Sequence, residues 1–103
     1  MIFVRLPLRL LQYKHMQHLK IRVTGRVQGV YFRDTARKEA DNLGITGFAR
    51  NDADGSVYIE AEGSDEALER FLAWCHEGSR EAVVEDVVHT KHEPVGHRGF
   101  TIY

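Results

Sequence analysis

Hydrophobic residues recur along the chain first with the two-residue period of a β-strand and then with the period of an α-helix. The first set alternates with polar residues and consists of Leu19, Ile21 and Val23. The second set is spaced by four, four and three positions and consists of Phe32, Ala36, Ala40 and Leu43. These periods predict a strand with one buried face and a helix over about residues 33–43, which Gly44 is placed to end.

A β-hairpin is predicted in the next part of the chain. The segments 46–51 and 56–62 flank the sequence Asp52-Ala53-Asp54-Gly55, whose acidic residues and glycine favour a tight reversal. The inner face of the second hairpin strand is marked by alternate apolar residues: Val57, Ile59 and Ala61.

A second helix and two more strands complete the pattern. Ser64 is a good N-cap residue and is followed by two acids, while Gly78 is placed to end the helix. The buried stripe of this helix is predicted to contain four residues: Leu68, Phe71, Leu72 and Cys75. The valine-rich segment 83–89 and the alternating segment 100–103 are predicted as strands.

The predicted order of elements is therefore βαββαβ with a short terminal strand. This order is satisfied by an α+β fold in which two helices cover one face of a mainly antiparallel sheet, the ferredoxin-like sandwich. The same plan hosts enzymes, metal carriers, ligand-sensing modules and RNA-binding domains. The function must therefore be argued from the site.

Residues 1–18 differ from the rest of the chain because they carry basic residues and no acid, with Pro7 inside a leucine-rich stretch. The stretch is shorter than a membrane span and lacks the ordered parts of a secretory signal. We therefore expect an N-terminal extension over residues 1–18, with translation starting naturally at Met16, and one domain over residues 19–103. An arginine-rich targeting peptide is the alternative.

Composition and charge add two expectations. The chain of 103 residues is 43% hydrophobic and 28% charged, as is typical of one globular domain, and its net charge is −1. Residues 20–38 nevertheless contain six basic residues and one acid, which favours a small anionic ligand near this segment. The single cysteine, Cys75, excludes an intramolecular disulfide and favours a reducing compartment, so we expect a cytoplasmic protein.

The basic segment contains the sequence GRVQGVYFR, residues 25–33, at the junction between the predicted strand and helix. Backbone N–H groups of a glycine-containing turn at a helix start converge on one point and bind phosphate or carboxylate oxygens. Arg33 falls in the first helical turn, where a cation costs about 0.3–1 kcal/mol unless an anion is bound beside it. The segment matches neither a Walker A loop nor GxGxxG. An ordinary strand-to-helix turn with a solvated arginine is the open alternative.

Two segments, GRVQGVYFR and LGITGFARNDADGSVYIEAEG, resemble the signature segments of the acylphosphatase family, and the resemblance extends from about Leu19 to Tyr103. Members of that family hydrolyse carboxyl-phosphate anhydrides to a carboxylate and inorganic phosphate. The resemblance therefore implies an enzyme that acts on a small-molecule acyl phosphate and needs no metal or other cofactor. We expect a monomer that binds neither nucleic acid nor membranes.

The resemblance also implies roles for particular residues. Arg33 matches the family's loop arginine, which would hold the phosphoryl oxygens with a planar, charged fork. Asn51 matches the catalytic asparagine, which would hold the attacking water in line with the leaving carboxylate. The remaining phosphate contacts would be backbone N–H groups of consecutive loop residues: Gln28, Gly29, Val30, Tyr31 and Phe32. By residue type alone, Asn51 is an ordinary turn residue at the mouth of a hairpin.

The chain departs from the common family pattern at Phe48, Ala49 and Asp52, where many members have tryptophan, valine and threonine. The first two are packing changes, whereas Asp52 would weaken anion binding if its carboxylate pointed into the loop. Two alternatives stay open. One is a non-enzymatic ferredoxin-like module that senses an anion or binds a partner, and the other is a module that handles carbamoyl phosphate at the head of a larger maturation protein.

Six histidines raise the question of a metal site. Three of them are close in sequence, His89, His92 and His97, but a spacing of three along a strand directs side chains to opposite faces. We therefore predict no metal site.

Overall fold

The structure, a computed structural model, describes residues 16–103. Seven strands and helices follow one another there: β1 (Met16–Arg26), α1 (Phe32–Leu43), β2 (Thr46–Asn51), β3 (Val57–Ser64), α2 (Asp65–Glu77), β4 (Val83–His92) and β5 (Phe100–Ile102). The predicted βαββαβ order with a short terminal strand is confirmed. β1 begins before the predicted Leu19, at Met16. Residues 1–15 of the predicted N-terminal extension lie outside the described residues, so the extension stays a prediction.

The five strands form one sheet in the order β4-β1-β3-β2-β5. The β1–β3, β1–β4 and β2–β3 pairs are antiparallel, whereas β2 and β5 pair in parallel. Each helix connects two strands that have one other strand between them, and the two helices contact each other and the sheet. The chain therefore has the predicted ferredoxin-like α+β fold, with both helices on one face of the sheet.

The core lies between the helices and the covered face of the sheet. The predicted inner faces of β1 and β3 are buried: Leu19, Ile21, Val23, Val57, Ile59 and Ala61. The helices contribute their apolar stripes: Phe32, Ala36, Ala40, Leu68, Phe71 and Cys75. Leu72, predicted for the stripe of α2, is only partly buried. Burial raises the pKa of the Cys75 thiol, which suits a packing residue rather than a nucleophile.

Both helices end as the sequence predicts, and α2 also begins as predicted. At the start of α2, Oγ of Ser64 accepts a hydrogen bond from the backbone N–H of Ala67 at 3.1 Å. Gly44 ends α1 with a φ of +70°, and Gly78 ends α2. Within residues 16–103, neither helix is long and apolar enough to cross a membrane.

Gly25 joins the sheet to the loop that follows β1. It lies at a bulge in the β1–β4 pairing and has a φ of +124°. A Cβ atom at this position would lie 2.2 Å from the backbone oxygen of Val83. The missing side chain therefore allows β4 to pack closely against the start of the loop.

We expect Gly25→Ala to lower the free energy of unfolding by about 2–4 kcal/mol, because the new Cβ would overlap with backbone atoms of β4. Gly44→Ala is the matched control, since Gly44 also has a positive φ but no atom within 4 Å of a new Cβ. We expect Gly44→Ala to lower the free energy of unfolding by about 1–2 kcal/mol. Urea unfolding measures both values. Equal losses in the two variants would contradict a close contact at Gly25.

Candidate active site

The loop between β1 and α1 has an unusual backbone conformation at the start of the helix. Two of its residues have positive φ, Gly29 at +74° and Tyr31 at +62°. A non-glycine residue in this region costs about 1–2 kcal/mol, and such residues are concentrated at functional sites. Tyr31 directly precedes α1, and no side chain in the described part of the chain caps that helix start. The first N–H groups of α1 therefore lack the usual side-chain acceptor.

A cavity of about 320 Å³ lies beside this loop. Eight residues line it: Val27, Gly29, Tyr31, Phe32, Arg33, Asp34, Asn51 and Ile102. The predicted site residues Arg33 and Asn51 come from α1 and the end of β2, and they share this cavity with three of the predicted loop contacts. The other two predicted contacts, Gln28 and Val30, do not line it.

Gln28 and Val30 fasten the loop to its surroundings. Val30 is buried, and its carbonyl accepts a hydrogen bond from Oγ of Ser79 at 2.6 Å. The side-chain amide of Gln28 donates to the backbone carbonyls of Asp52 at 2.7 Å and Ser56 at 2.9 Å. The loop is thereby attached on one side to the segment before β4 and on the other to the turn between β2 and β3.

Arg33 lies in the first turn of α1, and its guanidinium also contacts the segment that follows β5. Nη1 donates a hydrogen bond to the backbone carbonyl oxygen of Tyr103. Tyr103 is held beside β2, because its N–H donates to the carbonyl of Ala49 at 3.0 Å. The position of the arginine therefore depends on the β2–β5 pairing as well as on its own helix.

Asn51 is the last residue of β2 and pairs with Val57 of β3. It is exposed and lines the cavity. The side chain of Gln28 binds the carbonyl of the next residue, Asp52, so the loop and Asn51 are held in a defined relation. An amide in this place can donate a hydrogen bond to a ligand or water and accept one from it.

The carboxylate of Asp52 is directed to two arginines and does not line the cavity. Its oxygens lie 3.0 Å from Nε of Arg50 and 3.3 Å from Nη1 of Arg22. The two guanidinium groups compensate its charge. The condition for weaker anion binding, an Asp52 carboxylate that points into the loop, is therefore not met.

Three residues that line the cavity were not predicted as site residues: Val27, Asp34 and Ile102. Asp34 follows Arg33 in the first turn of α1, and its carboxylate lies 3.9 Å from Nη2 of Arg37. Its place next to Arg33 at a helix start is the one sequence signal for its position beside the cavity. Ile102 carries no such signal, because it reaches the cavity only through the parallel pairing of β5 with β2.

These groups suit a tetrahedral oxyanion. Uncapped N–H groups at a helix start bind anionic oxygens, and the helix dipole favours the negative charge. The Arg33 guanidinium adds charge-assisted hydrogen bonds with a planar geometry that matches phosphate. The arrangement can therefore bind a phosphoryl group beside an amide that is able to hydrogen-bond to water.

Comparisons with known proteins point in the same direction. The acylphosphatase family model matches residues 19–102. An acylphosphatase from Rubrobacter xylanophilus is 42% identical over 91 residues, which cover 86% of this chain and 82% of the relative. The structure of an acylphosphatase from Coxiella burnetii has a TM-score of 0.86 at 29% identity, covering 89% of this chain and 97% of that one. The acylphosphatase from Bacillus subtilis has a TM-score of 0.82 at 39% identity, covering 84% and 98%.

The fold and the site define a small ferredoxin-like domain with a cavity, lined by an arginine, at the uncapped start of its first helix. The chain belongs to the acylphosphatase family. It is an enzyme that hydrolyses small-molecule acyl phosphates to a carboxylate and inorganic phosphate. The predicted family and activity are confirmed, and a non-enzymatic anion-sensing role is not favoured.

Proposed function

We propose that the cavity is the active site, with Arg33 and Asn51 as its catalytic residues. The observation that supports this proposal is that the two side chains line one cavity together with Gly29, Tyr31 and Phe32. In the proposal, the guanidinium and the loop N–H groups bind the phosphoryl oxygens, and the Asn51 amide binds the attacking water. The proposed phosphate contacts also include the backbone N–H groups of two further loop residues, Gln28 and Val30.

The proposed reaction requires positioning and charge stabilisation rather than a covalent intermediate. Water held by Asn51 attacks phosphorus on the side opposite the acyl oxygen, and a new O–P bond forms while the acyl O–P bond breaks. The acyl group leaves with the bonding electron pair as a carboxylate, and the water releases one proton to solvent. Arg33 and the N–H groups stabilise the charge on the remaining phosphoryl oxygens. A carboxylate is a good leaving group, so the proposed mechanism needs no strong base.

We further propose that hydrolysis needs no metal or other cofactor and that the enzyme acts as a monomer in the cytoplasm. Every group in the proposed mechanism comes from one chain, so the mechanism requires no second copy. A cavity of about 320 Å³ suits a small molecule rather than a nucleic acid or a membrane surface. The single cysteine supports a reducing compartment.

Hydrolysis of benzoyl phosphate by the purified protein, measured with and without EDTA, tests this mechanism. The expected result is the same turnover in both conditions and competitive inhibition by inorganic phosphate, since product and substrate would use the same contacts. Loss of turnover in EDTA would contradict the cofactor-free reaction. Inhibition by phosphate that is not competitive would contradict a shared phosphoryl site.

Gln28→Ala is expected to lower kcat by about 10–100-fold, because the side chain no longer holds the loop against the turn that follows Asn51. Inhibition by phosphate should change less, since Arg33 is retained. Gln17→Ala is the matched control, because Gln17 lies near the start of β1 and does not line the cavity. A normal kcat in Gln28→Ala, or the same loss in both variants, argues against a positioning role for this side chain.

A further inference from the structure

A second polar cluster lies at the opposite end of β1 from the loop between β1 and α1. It consists of His18, Glu60, Glu62 and His97, which come from β1, β3 and the β4–β5 connection. His18 and Arg26 are eight residues apart in β1, which corresponds to roughly 26 Å along the strand. The cluster is therefore distinct from the proposed active site.

The β4–β5 connection covers this cluster, of which His18 and Glu62 are fully buried. β4 and β5 form the two edges of the sheet, so the connection between them has to cross from one edge to the other. Both His18 and Glu62 are 1% exposed, although they belong to the polar positions of their strands. Polar side chains that are buried so completely need partners of their own.

Glu62 uses both of its oxygens within the protein. It accepts hydrogen bonds from the backbone N–H groups of Val95, Gly96 (2.9 Å) and His97 (3.0 Å), and from Nδ1 of His18 (2.7 Å). Burial raises the pKa of Glu62, but the hydrogen bonds outweigh this effect and hold the pKa below its usual range. Glu62 is therefore an ionised anchor that orients the His18 ring and the connection.

His18 is thus held by one ring nitrogen and presents the other to Glu60. Its Nε2 lies 2.9 Å from Oε1 of Glu60. A carboxylate only accepts hydrogen bonds, so Nε2 donates to Glu60 when no metal is bound. A histidine whose Nδ1 donates to a carboxylate, with Nε2 as the ligand atom, is the usual arrangement of a metal-binding histidine. The hydroxyl of Tyr58 donates to the other oxygen of Glu60 at 2.7 Å, which fixes this carboxylate as well.

His97 supplies the observation that points to a ligand. Its ring stacks on that of His18 at 5.6 Å between centroids, and its Nε2 lies 3.8 Å from Oε1 of Glu60. This Nε2 is buried and has no hydrogen-bond partner among residues 16–103. Buried polar atoms without a partner are rare in native proteins. This nitrogen is therefore available to a ligand that residues 16–103 do not supply.

We propose that Nε2 of His18, Nε2 of His97 and Oε1 of Glu60 bind a divalent transition ion of the zinc class. Bonds of 2.0–2.2 Å in a tetrahedral site place neighbouring ligand atoms about 3.3 Å apart. The two distances from Glu60, 2.9 Å to His18 and 3.8 Å to His97, lie on either side of this value. A ring nitrogen of His18 lies within 4.8 Å of one of His97. Two imidazoles and a carboxylate are ligands that zinc accepts, and water completes the site.

Binding requires that Nε2 of His18 release any proton it carries to solvent, after which its lone pair bonds to the metal. The ion would link β1, β3 and the β4–β5 connection, and it takes no part in hydrolysis.

The sequence prediction of no metal site rests on His89, His92 and His97. The structure instead places His97 beside His18, which β1 contributes.

Titration of the full chain, first treated with EDTA and dialysed, with Zn²⁺ alone tests this proposal. We expect one ion per chain by calorimetry, a rise in the melting temperature, and the strong visible absorption of tetrahedral cobalt when Co²⁺ replaces Zn²⁺. His97→Ala should weaken the affinity at least tenfold and remove the melting shift, and Glu60→Gln should do the same while keeping an acceptor for Tyr58. The matched control is His76→Ala, an exposed histidine at the end of α2.

Circular dichroism verifies that each variant is folded. Absence of one-to-one binding by the wild-type protein would overturn the proposal and leave an ion cluster that stabilises the fold without metal. Equal losses in His97→Ala and His76→Ala would overturn it too, because they would indicate dispersed surface binding. Turnover of benzoyl phosphate in EDTA is a separate measurement, so the outcome for the metal site does not depend on the proposed mechanism.

Discussion

Replacing Asn51 with alanine is expected to abolish hydrolysis, with kcat reduced by about a thousandfold or more, while phosphate still binds. The physical reason is that the Asn51 amide is the proposed holder of the attacking water, and a lost positioning contact acts on the transition state rather than on the bound phosphate. Arg33 and the loop N–H groups are unchanged in this variant. Its inhibition or binding constant for inorganic phosphate should therefore stay within a few-fold of the wild-type value.

The measurement pairs the kinetics of benzoyl phosphate hydrolysis with calorimetric binding of phosphate. Asn42→Ala is the matched control, since Asn42 is an exposed asparagine of α1 that does not line the cavity. We expect wild-type kinetics from the control. If Asn51→Ala loses phosphate binding in parallel with turnover, the residue shapes the anion site and is not a holder of water.

Arg33→Lys is expected to lower kcat/KM by about 30–1,000-fold, although the positive charge is retained. Lysine offers a point charge where arginine offers a planar fork, so the paired hydrogen bonds to the phosphoryl oxygens are lost. By analogy with lost oxyanion donors, this corresponds to about 2–4 kcal/mol of transition-state stabilisation. Inhibition by phosphate should weaken in the same variant, unlike in Asn51→Ala.

A matched control for this substitution is Arg70→Lys, because Arg70 lies on α2 and forms an exposed i,i+4 pair with Glu66. We expect no change in kcat/KM from the control. A near-normal rate in Arg33→Lys would mean that charge alone suffices and that the geometry of the guanidinium is unimportant. Phosphate binding that weakens in Arg33→Lys but persists in Asn51→Ala would distinguish the proposed phosphate-binding role of Arg33 from the proposed water-holding role of Asn51.

Most elements of the fold follow from local patterns. The two-residue period of Leu19, Ile21 and Val23 reports one buried face of a strand, whichever strands lie beside it. Ser64 and Gly44 act at helix ends through hydrogen bonds and backbone angles within a few residues. Such signals are readable without the tertiary structure, because the interactions that produce them are themselves local.

The candidate site could be predicted from the sequence only in part. The glycine-containing loop and Arg33 lie on consecutive residues, so their proximity could be predicted from the junction between a strand and a helix. Asn51 was identified through the family resemblance, since an asparagine at a hairpin mouth has an ordinary local explanation. The shared cavity of Arg33 and Asn51 depends on how α1 and β2 pack together.

The sequence by itself determined the order of strands and helices, the buried faces, the helix ends and the position of the basic, glycine-containing loop at residues 25–33. The tertiary structure alone decided which distant side chains meet. Gln28 reaches the carbonyl of Asp52, Arg33 reaches that of Tyr103, and His97 stacks on His18. These contacts depend on strand order and register, which bring residues together regardless of their separation in the chain, so no pattern within a short window can predict them.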